Sequence, residues 1–415
     1  MALGKVSVNN LNLGQGPVTE IERYFLFIGP ASANVGKLVA LNTQSDLDVE
    51  LGADASDLKT QIAAAQLNGG DRWACMAAPI AADGDWAEAL DQAQQAGISV
   101  EGVIITTPVT TGAELTAMQD KATEITTVYG RRVFFMAASR GIDVTPEPPE
   151  TPLKTAAASK DPDTSAKSPR ATPKAVQTTE GETPALRIPE DWSTYLTAQR
   201  AITAGVAAQR VMVVPQLHGN DQGVLAGRLA NAIVSIADSP MRVASGPLQG
   251  LGPVPVDAAG VPLPGSVRAE LDKARFSVSQ TYPDYPGVFW ADGNTLDAPG
   301  SDFQVIEYLR IVDKASRRIQ VLLIQRVADR RLNNTPNSMA TATSAFMRPL
   351  RDMARSVTVN GQVQPGEIES PKDGDVTIFW KSKTAVEIYF TVTPYNCPKD
   401  LTAYIALDLS NGEEE

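Results

Sequence analysis

Tyr24-Phe-Leu-Phe-Ile-Gly-Pro30 is a continuous apolar run that ends at a glycine and a proline. A short run that is apolar on both faces and closed by turn residues is typical of a strand buried on both sides of a sheet. Similar runs follow along the chain, and segments with helical periodicity separate them. This alternation predicts an α/β fold in which a parallel-rich sheet is covered by flanking helices. The further strands are predicted at residues 37–41, 73–80, 100–106, 132–138 and 211–214, and the helices at residues 56–67, 85–95, 111–129, 192–204 and 221–236.

The composition changes abruptly between residues 143 and 190, a segment with nine prolines and no aromatic residue. Such a segment buries too little apolar surface to offset the conformational entropy that ordering would cost. The α/β pattern resumes directly after it. We therefore interpret residues 143–190 as a flexible Pro-rich insert that projects from a single domain.

Beyond residue 300 the pattern changes to that of an α+β domain. Helices are predicted at residues 302–331 and 338–357, Asn360-Gly361 is a hairpin turn signal, and strands are predicted near residues 375–379 and 385–392. The predicted organisation is an N-terminal arm (1–20), an α/β domain (21–240), an irregular connection rich in glycine and proline (241–300), a C-terminal α+β core domain (301–397) and a C-terminal arm with an acidic tail (398–415).

Both ends of the chain carry alternating apolar residues, the pattern of a strand. Either strand could complete the chain's own sheet. The N-terminal segment is separated from the first domain strand by glycines and a proline, so it could instead reach outward and add to the open sheet edge of a neighbour. Repeated head to tail, that contact builds a ring or an open helix. The alternating residues are Val6, Val8, Leu11 and Leu13 at the N-terminus and Leu401, Ala403, Ile405, Leu407 and Leu409 at the C-terminus.

The charge of the chain is strongly uneven. The net charge of −12 argues against binding nucleic acid across a broad surface. Between residues 301 and 360, however, ten lysines and arginines stand against five acidic residues. A basic segment in an acidic molecule predicts a surface for an acidic partner.

The second C-terminal helix has a basic side. Phe346, Leu350, Met353 and Val357 are predicted to form one apolar stripe, and Arg348, Arg351 and Arg355 to lie on the opposite face. This pattern fits an ordinary solvated helix surface, and it also fits a basic docking ridge for an acidic partner. Pro349 favours a kink or a helix start at that position.

The residues that usually perform catalysis or bind metals are scarce. The sequence has one histidine, His218, and two cysteines, Cys75 and Cys397, which we expect to be buried free thiols. The segment Gly29–Lys37 superficially resembles a phosphate-binding loop, but its spacing and the strand predicted after it do not fit one. We therefore predict no catalytic, cofactor or metal site, and a structural role for His218.

No apolar run approaches the roughly 20 residues of a membrane helix, and the N-terminus lacks a signal-peptide pattern. We therefore expect no membrane insertion, and synthesis and assembly in the cytoplasm.

The order of several short motifs resembles that of contractile bacteriophage tail sheath proteins. The resemblance covers about residues 20–140 and 280–410. The motifs that carry it are Ile28-Gly-Pro30, Lys37-Leu-Val39, Ser45-Asp-Leu47, Leu51-Gly52, Asp57-Leu58 and Asn68-Gly-Gly70 in the first part, and Gly287-Val-Phe-Trp290, Asp292-Gly293, Ser301-Asp-Phe303, Asp313-Lys-Ala-Ser-Arg-Arg318 and Asn360-Gly361 in the second.

The resemblance implies a non-enzymatic structural subunit. Sheath subunits stack in rings around an inner tail tube, polymerise helically, and contract to drive the tube through the host envelope. Their terminal arms join a sheet in the C-terminal domain of a neighbour, which assigns residues 1–20 and 398–412 as arms. A C-terminal helix contacts the acidic tube, which assigns that role to residues 341–357 with Arg348, Arg351 and Arg355. The proline-rich insert stands where larger sheaths carry a folded outer domain.

The implied partners are other copies of the chain, an acidic tail tube protein, and baseplate and tail terminator proteins. The implied location is the virion tail, with no direct contact with nucleic acid. Two alternatives stay open from the sequence. One is an α/β ligand-binding protein or enzyme, and the other is the sheath of a phage-tail-like bacteriocin or another contractile injection system.

Overall fold

The computed structural model describes residues 21–144, 189–359 and 361–406. Six strands form one sheet in the order β2-β3-β1-β4-β5-β6, in which β2 is an antiparallel edge and the others are parallel. The α/β fold with a parallel-rich sheet is thus confirmed. The strands are β1 Phe25–Pro30, β2 Val39–Asn42, β3 Ala74–Ile80, β4 Gly102–Val109, β5 Phe134–Ser139 and β6 Val211–Pro215.

Helices cover both faces of this sheet. Apolar residues of α3, α4, α5 and α7 pack on one face, and those of α2 and α6 pack on the other. Strands β1, β3, β5 and β6 are buried almost completely, which explains their continuous apolar sequences, whereas the edge strand β2 is only partly buried. The helices of this region are α1 Leu47–Leu51, α2 Asp57–Asn68, α3 Trp86–Gln95, α4 Gly112–Tyr129, α5 Trp192–Thr203, α6 Asp221–Ala230 and α7 Gly265–Lys273.

Strands on either side of the Pro-rich segment are neighbours in the same sheet. β5 precedes that segment and β6 follows it, and the two strands pair in parallel. Where the Pro-rich segment leaves and rejoins the fold, the Glu190 amide donates a 2.9 Å hydrogen bond to the Asp143 carbonyl. The Glu190 carboxylate also forms an ion pair with Arg140. Residues 145–188 lie outside the described residues.

The region from 241 to 300 is more ordered than its composition predicts. It contains a short 3-10 helix (Val243–Ser245), α7, and an antiparallel hairpin formed by β7 (Ser279–Tyr282) and β8 (Tyr285–Trp290). Val267 and Leu271 of α7 are spaced one helical turn apart and pack in the sheet core. The glycines and prolines therefore mark turns between short elements. The predicted helix at 221–236 ends earlier, at Ala230, and gives way to turns.

Helix α8 (Ile306–Ile324) links the sheet to the C-terminal region. Its first turn packs in the sheet core through Ile306 and Leu309, and its later turns pack in a separate cluster that includes Ile311, Ala315 and Ile319. One continuous helix thus belongs to two hydrophobic cores. Because its backbone is hydrogen-bonded throughout, it fixes the position of one core relative to the other.

The predicted extension of this helix to residue 331 is wrong. The turns after Ile324 include Ala328, whose φ of 58° lies in the left-handed region that helices exclude. The Asp329 carboxylate accepts a 3.0 Å hydrogen bond from the backbone amide of Arg331 and a 3.1 Å bond from Arg326. An aspartate that bonds nearby backbone in this way competes with helix continuation.

Helix α9 spans Pro336–Met353. It is capped by Thr335, whose hydroxyl accepts a hydrogen bond from the Ser338 amide. Pro336 is the first residue of the helix, a position at which proline is tolerated. Pro349 lies inside the helix, which neither starts nor stops there. The predicted end at residue 357 is wrong, since Val357 begins a strand and is exposed.

Two small antiparallel sheets complete the C-terminal region. β9 (Val357–Val359) pairs with β10 (Gln362–Gln364), and β11 (Val376–Trp380) pairs with β12 (Val386–Phe390). The third core packs α8 and α9 against β11, and the Phe346 and Phe390 rings meet edge to face at 6.0 Å. We call residues 306–406 the C-terminal lobe.

Candidate assembly surface

The basic side of α9 is exposed. The apolar side of the helix, with Phe346, Leu350 and Met353, is buried in the lobe core. Arg348 and Arg351 lie on its exposed side, and Arg355 lies two residues beyond its end. Among the described residues Arg355 pairs with Asp352 at 3.3 Å, whereas Arg348 and Arg351 have no ion pair.

Internal ion pairs neutralise most of the positive charge between residues 301 and 360. The expected basic surface is therefore narrower than the sequence suggests. Within the part of the chain that the structure describes, the cations of this segment that make no ion pair are Arg318, Arg330, Arg348 and Arg351. The pairs are Arg310–Glu101, Lys314–Glu367, Arg317–Glu22, Arg326–Asp329, Arg331–Asp329 and Arg355–Asp352.

The β11–β12 sheet has only two strands and apolar residues on both faces. Ile378 faces the lobe core, while Phe379 and Tyr389 are exposed. Over the described residues, neither strand pairs with any third strand of the fold. A two-stranded sheet is marginally stable in water, and its free edges offer unpaired backbone groups to another chain.

A groove with an apolar floor and charged residues among its lining lies between this hairpin and the end of α8. Its volume is about 660 Å³, and Leu332, Trp380 and Ile388 are among its lining residues. Val327 also lines the groove and is 77% exposed. Ile324, in the last turn of α8, is exposed as well. Clustered exposed apolar residues of this kind mark a surface that another chain covers.

The C-terminal arm forms no strand where the structure describes it. Residues 401–406 have no regular structure, and Leu401, Ala403 and Ile405 are all exposed, Leu401 by 82% and Ile405 by 96%. The predicted strand is thus not formed by these residues within the single chain. Leu407 and Leu409 lie outside the described residues, as do Val6, Val8, Leu11 and Leu13 of the N-terminal arm.

His218 has a structural environment. Its ring Nδ1 lies 2.8 Å from Asp221 Oδ1, both side chains are buried, and the His218 amide donates to the other Asp221 oxygen at 2.6 Å. The segment Gly29–Lys37 leads into the edge strand β2 and not into a helix, so it has no helix N-terminus to bind phosphate. In the described parts of the chain, no cluster of three or more His, Cys, Asp and Glu side chains could hold a metal ion.

The two cysteines differ from each other. Cys75 is buried in β3, and burial raises the pKa of its thiol well above the usual range. Cys397 is exposed, which corrects the expectation that both thiols are buried. The apolar residues before it suggested a strand, but β12 already ends at Phe390. As for membranes, no helix in the described ranges is both apolar and long enough to span a bilayer.

Sequence reasoning missed the groove and the exposed hairpin face. One signal was available, since Val-Thr-Ile-Phe-Trp380 carries apolar residues on both faces although it belongs to a small antiparallel sheet. A second signal was the run of four apolar residues at 321–324. Four consecutive residues occupy all sides of the last turn of α8, so they cannot all face one core.

Comparison with known proteins gives full-length matches. The family model described as DUF2586, N-terminal domain, matches residues 3–172 and 152–294, and the DUF2586 C-terminal domain matches residues 302–410. A curated protein of Haemophilus phage HP1, named "Putative tail sheath protein", is 39% identical over 410 residues, covering 98% of both chains.

Several solved structures with the same fold are sheath proteins. The sheath of an extracellular contractile injection system, PVC, in its contracted state has a TM-score of 0.57 at 12% identity and covers 99% of this chain and 98% of its own. The contracted helical sheath of the anti-feeding prophage has a TM-score of 0.54 at 12% identity, covering 98% and 100%. A sheath tail protein from Desulfitobacterium hafniense has a TM-score of 0.51 at 10% identity, covering 94% and 96%.

We call the α/β region that precedes α8 (residues 21–305) the body. The sequence match extends over the body and the C-terminal lobe alike, and the fold match does the same. The chain therefore belongs to the contractile bacteriophage tail sheath protein family, in the branch described by DUF2586.

Proposed function

We propose that this chain is the subunit of a contractile phage tail sheath, which polymerises helically around the tail tube and contracts to drive the tube through the host envelope. The observation that carries the proposal is the 39% identity to a phage tail sheath protein over nearly the whole length of both chains. The fold matches to sheaths in the contracted state support the contractile part. The role is mechanical and needs no catalytic site.

The arms connect neighbouring subunits in this proposal. Residues 1–20 and 398–412 of one copy add to the β11–β12 sheet of another copy and cover the adjoining groove. Three features of the lobe support this: a sheet with only two strands, an exposed apolar groove, and an exposed arm at residues 401–406. Backbone hydrogen bonds at a sheet edge would supply affinity, and the alternating apolar residues of the arm would fill the groove.

The basic side of α9 faces the tube in this proposal. Arg348 and Arg351 have no ion pair to a described residue, so they can pair with an acidic tube surface without breaking an ion pair of that kind. Exposed ion pairs are individually weak and sensitive to salt. That weakness suits a contact that must be released when the sheath contracts.

Further partners follow from the same role. A baseplate at one end would trigger contraction and a terminator protein at the other would end polymerisation. Subunits would assemble in the cytoplasm of the host and remain in the virion tail.

Electron microscopy of the purified protein tests the proposal directly. Sheath subunits at high concentration are expected to form rings or tubes. A chain that stays monomeric at all concentrations, and that binds a small molecule saturably in a thermal-shift screen, would instead indicate an α/β ligand-binding protein or enzyme.

The injection-system sheaths among the fold matches favour a second candidate, the sheath of an extracellular injection device or phage-tail-like bacteriocin. Genes for capsid and genome packaging beside those for tube and baseplate would favour a phage. Tube and baseplate genes without capsid genes would favour the second candidate.

A further inference from the structure

Lys399 holds the root of the C-terminal arm against the body of the subunit. Its Nζ donates hydrogen bonds of 2.8 and 2.7 Å to the two carboxylate oxygens of Asp292, and it lies 2.7 Å from Glu307 Oε1. Between Tyr395 and Ala406, all residues except Lys399 are exposed. Lys399 therefore makes the ion pairs that hold this described stretch to the body.

The ion pairs of Lys399 are partly buried. Glu307, in the first turn of α8, is almost completely buried, so its carboxylate depends on a nearby cation. Burial lowers the pKa of Lys399, but Glu307 and Asp292 outweigh this effect and hold the pKa above its usual value. The ammonium group thus stays charged, and this contact is stronger than a solvated surface pair.

The root of the N-terminal arm has an equivalent contact. Glu22 is the second residue after the arm, and its Oε1 accepts hydrogen bonds of 3.1 and 2.9 Å from Nε and Nη2 of Arg317. Both side chains are about nine-tenths buried. Arg317 lies on α8, as does Glu307, and ten residues of helix place the two about 15 Å apart along its axis.

We propose that helix α8 anchors both arms, through Glu22–Arg317 at one root and Lys399–Asp292/Glu307 at the other. The inference rests on the proposed function only for the use of the arms, because both contacts exist within a single chain. Its consequence is that a pull from one neighbour passes to another neighbour through one helix.

Helix α8 is suited to bear such a pull. It is fixed in the sheet core by the ion pair of Arg310 with Glu101 and by that of Asp313 with Arg210. Beyond Lys399 the arm is exposed and unstructured up to residue 406. Within the C-terminal arm (residues 398–412), the anchor therefore separates a root fixed at Lys399 from the part that can pair with a neighbouring copy, which begins at Asp400.

The C-terminal anchor can be tested with the native thiol at Cys397, two residues from Lys399. Cys75 is buried, so a nitroxide spin label attaches selectively to Cys397. In the unassembled wild-type protein we expect a restricted label. Lys399→Met should give a highly mobile label, and Lys381→Met, which removes an exposed lysine of the same lobe, should leave the spectrum unchanged.

The N-terminal anchor can be tested by tryptic cleavage after Arg23, followed by mass spectrometry. We expect Arg317→Met to speed this cleavage by about tenfold, since a charge-assisted hydrogen bond shifts a local opening equilibrium by roughly that factor. Arg318→Met is the matched control, because the neighbouring Arg318 forms no ion pair with a described residue. Cleavage after Lys5 serves as an internal reference.

Either variant could destabilise the whole subunit by leaving a buried carboxylate unpaired. Lys399→Met/Glu307→Gln and Arg317→Met/Glu22→Gln remove that charge as well and should keep the same local loosening at a wild-type melting temperature. Arg317→Lys should restore part of the protection. The proposal is overturned if the label stays restricted without Lys399, or if the cleavage rate is unchanged without Arg317. Neither readout requires assembly, so tubes that form normally or fail to form test the proposed function separately.

Discussion

Glu101 and Arg310 are 209 residues apart in the sequence and form a buried ion pair at the junction of sheet and lobe. Arg310 Nε and Nη2 donate to the two Glu101 oxygens at 2.6 and 2.9 Å, and Nη2 also donates to the Leu229 carbonyl. Both side chains are about 1% exposed. The pair fixes α8 to the residue just before strand β4, and α8 in turn positions the lobe.

Removing one partner of this pair should be strongly destabilising. Arg310→Met leaves the Glu101 carboxylate buried and unpaired, which costs about 3–5 kcal/mol of unfolding free energy. Urea denaturation followed by circular dichroism measures the change. The double variant Glu101→Gln/Arg310→Met is the control and should recover much of the loss, and a single variant as stable as the wild type would contradict this account.

The same pair predicts a dependence of stability on pH. Burial alone would raise the pKa of Glu101, but the charge and hydrogen bonds of Arg310, with smaller contributions from Arg317 and Arg23, lower it overall. A carboxyl whose pKa is lower in the folded protein stabilises the fold above its unfolded pKa of about 4.3, and that stability is lost as the pH falls through the folded pKa.

The wild type should therefore lose stability below about pH 4 more steeply than Glu101→Gln/Arg310→Met. The comparison cancels the opposite contribution of Glu307, whose pKa burial raises. Melting temperatures from pH 7 to pH 3 provide the test, and parallel curves for the two proteins would contradict it.

At the scale of elements, most helices of the body are encoded locally. The Ser56 hydroxyl caps α2, and Thr111 with Glu114 forms a capping box at α4, so the beginnings of these helices could be predicted from a few residues. The ends of α8 and α9 could not. The end of α8 is set by the left-handed backbone of Ala328 and by the side chain of Asp329. The end of α9 is set by the pairing of Val357 with Gln364 in a hairpin.

The basic residues of α9 could be placed on one exposed face from sequence periodicity, yet their isolation from other charges could not be predicted. The partners of the neighbouring cations, such as Glu22 and Glu101, come from distant parts of the chain. Periodicity predicts which side of a helix is buried, but it carries no information about which charges a fold brings together. That Arg348, Arg351 and Arg355 contact the tube stays a prediction.

Reversing the charge of this face should weaken assembly on the tube. We expect Arg348→Glu/Arg351→Glu/Arg355→Glu to reduce co-assembly with tubes at low salt, where exposed charges are least screened. Lys37→Glu/Arg72→Glu/Lys273→Glu changes the net charge equally on exposed positions of the body and is the matched control. Co-sedimentation with purified tubes measures the effect, and equal co-sedimentation of both variants would argue against a tube-facing role.

The groove beside β11–β12 makes a separate prediction. Val327→Asp places a charge at the exposed rim of the groove, so the monomer should change in stability by less than about 0.5 kcal/mol while tube formation is lost. Val49→Asp, at an exposed valine on α1, is the control and should assemble normally. Thermal melting and electron microscopy read out the two effects, and tubes formed by Val327→Asp would exclude the groove as a docking surface.

At the scale of the whole molecule, the chain is a closed α/β body and an incomplete C-terminal lobe joined by one helix. The body buries its parallel strands, whereas the lobe leaves one face of a two-stranded sheet, a groove and residues 400–406 of the arm exposed. Fold class and family could be predicted from the apolar runs and the order of motifs. The incompleteness of the lobe could not, because it is defined by what residues 376–390 fail to pack against. The division of the chain at residues 20, 240, 300 and 397 into two arms, two domains and a connection stays a prediction.

The central claim is that arms exchanged between copies hold the sheath together, and a truncation tests it most directly. A chain lacking residues 1–20 keeps the whole sheet and all three hydrophobic cores. We predict that electron microscopy and sedimentation will find it as folded, soluble monomers under conditions in which the full chain forms tubes. Normal tubular sheaths assembled by the truncated chain would contradict the account.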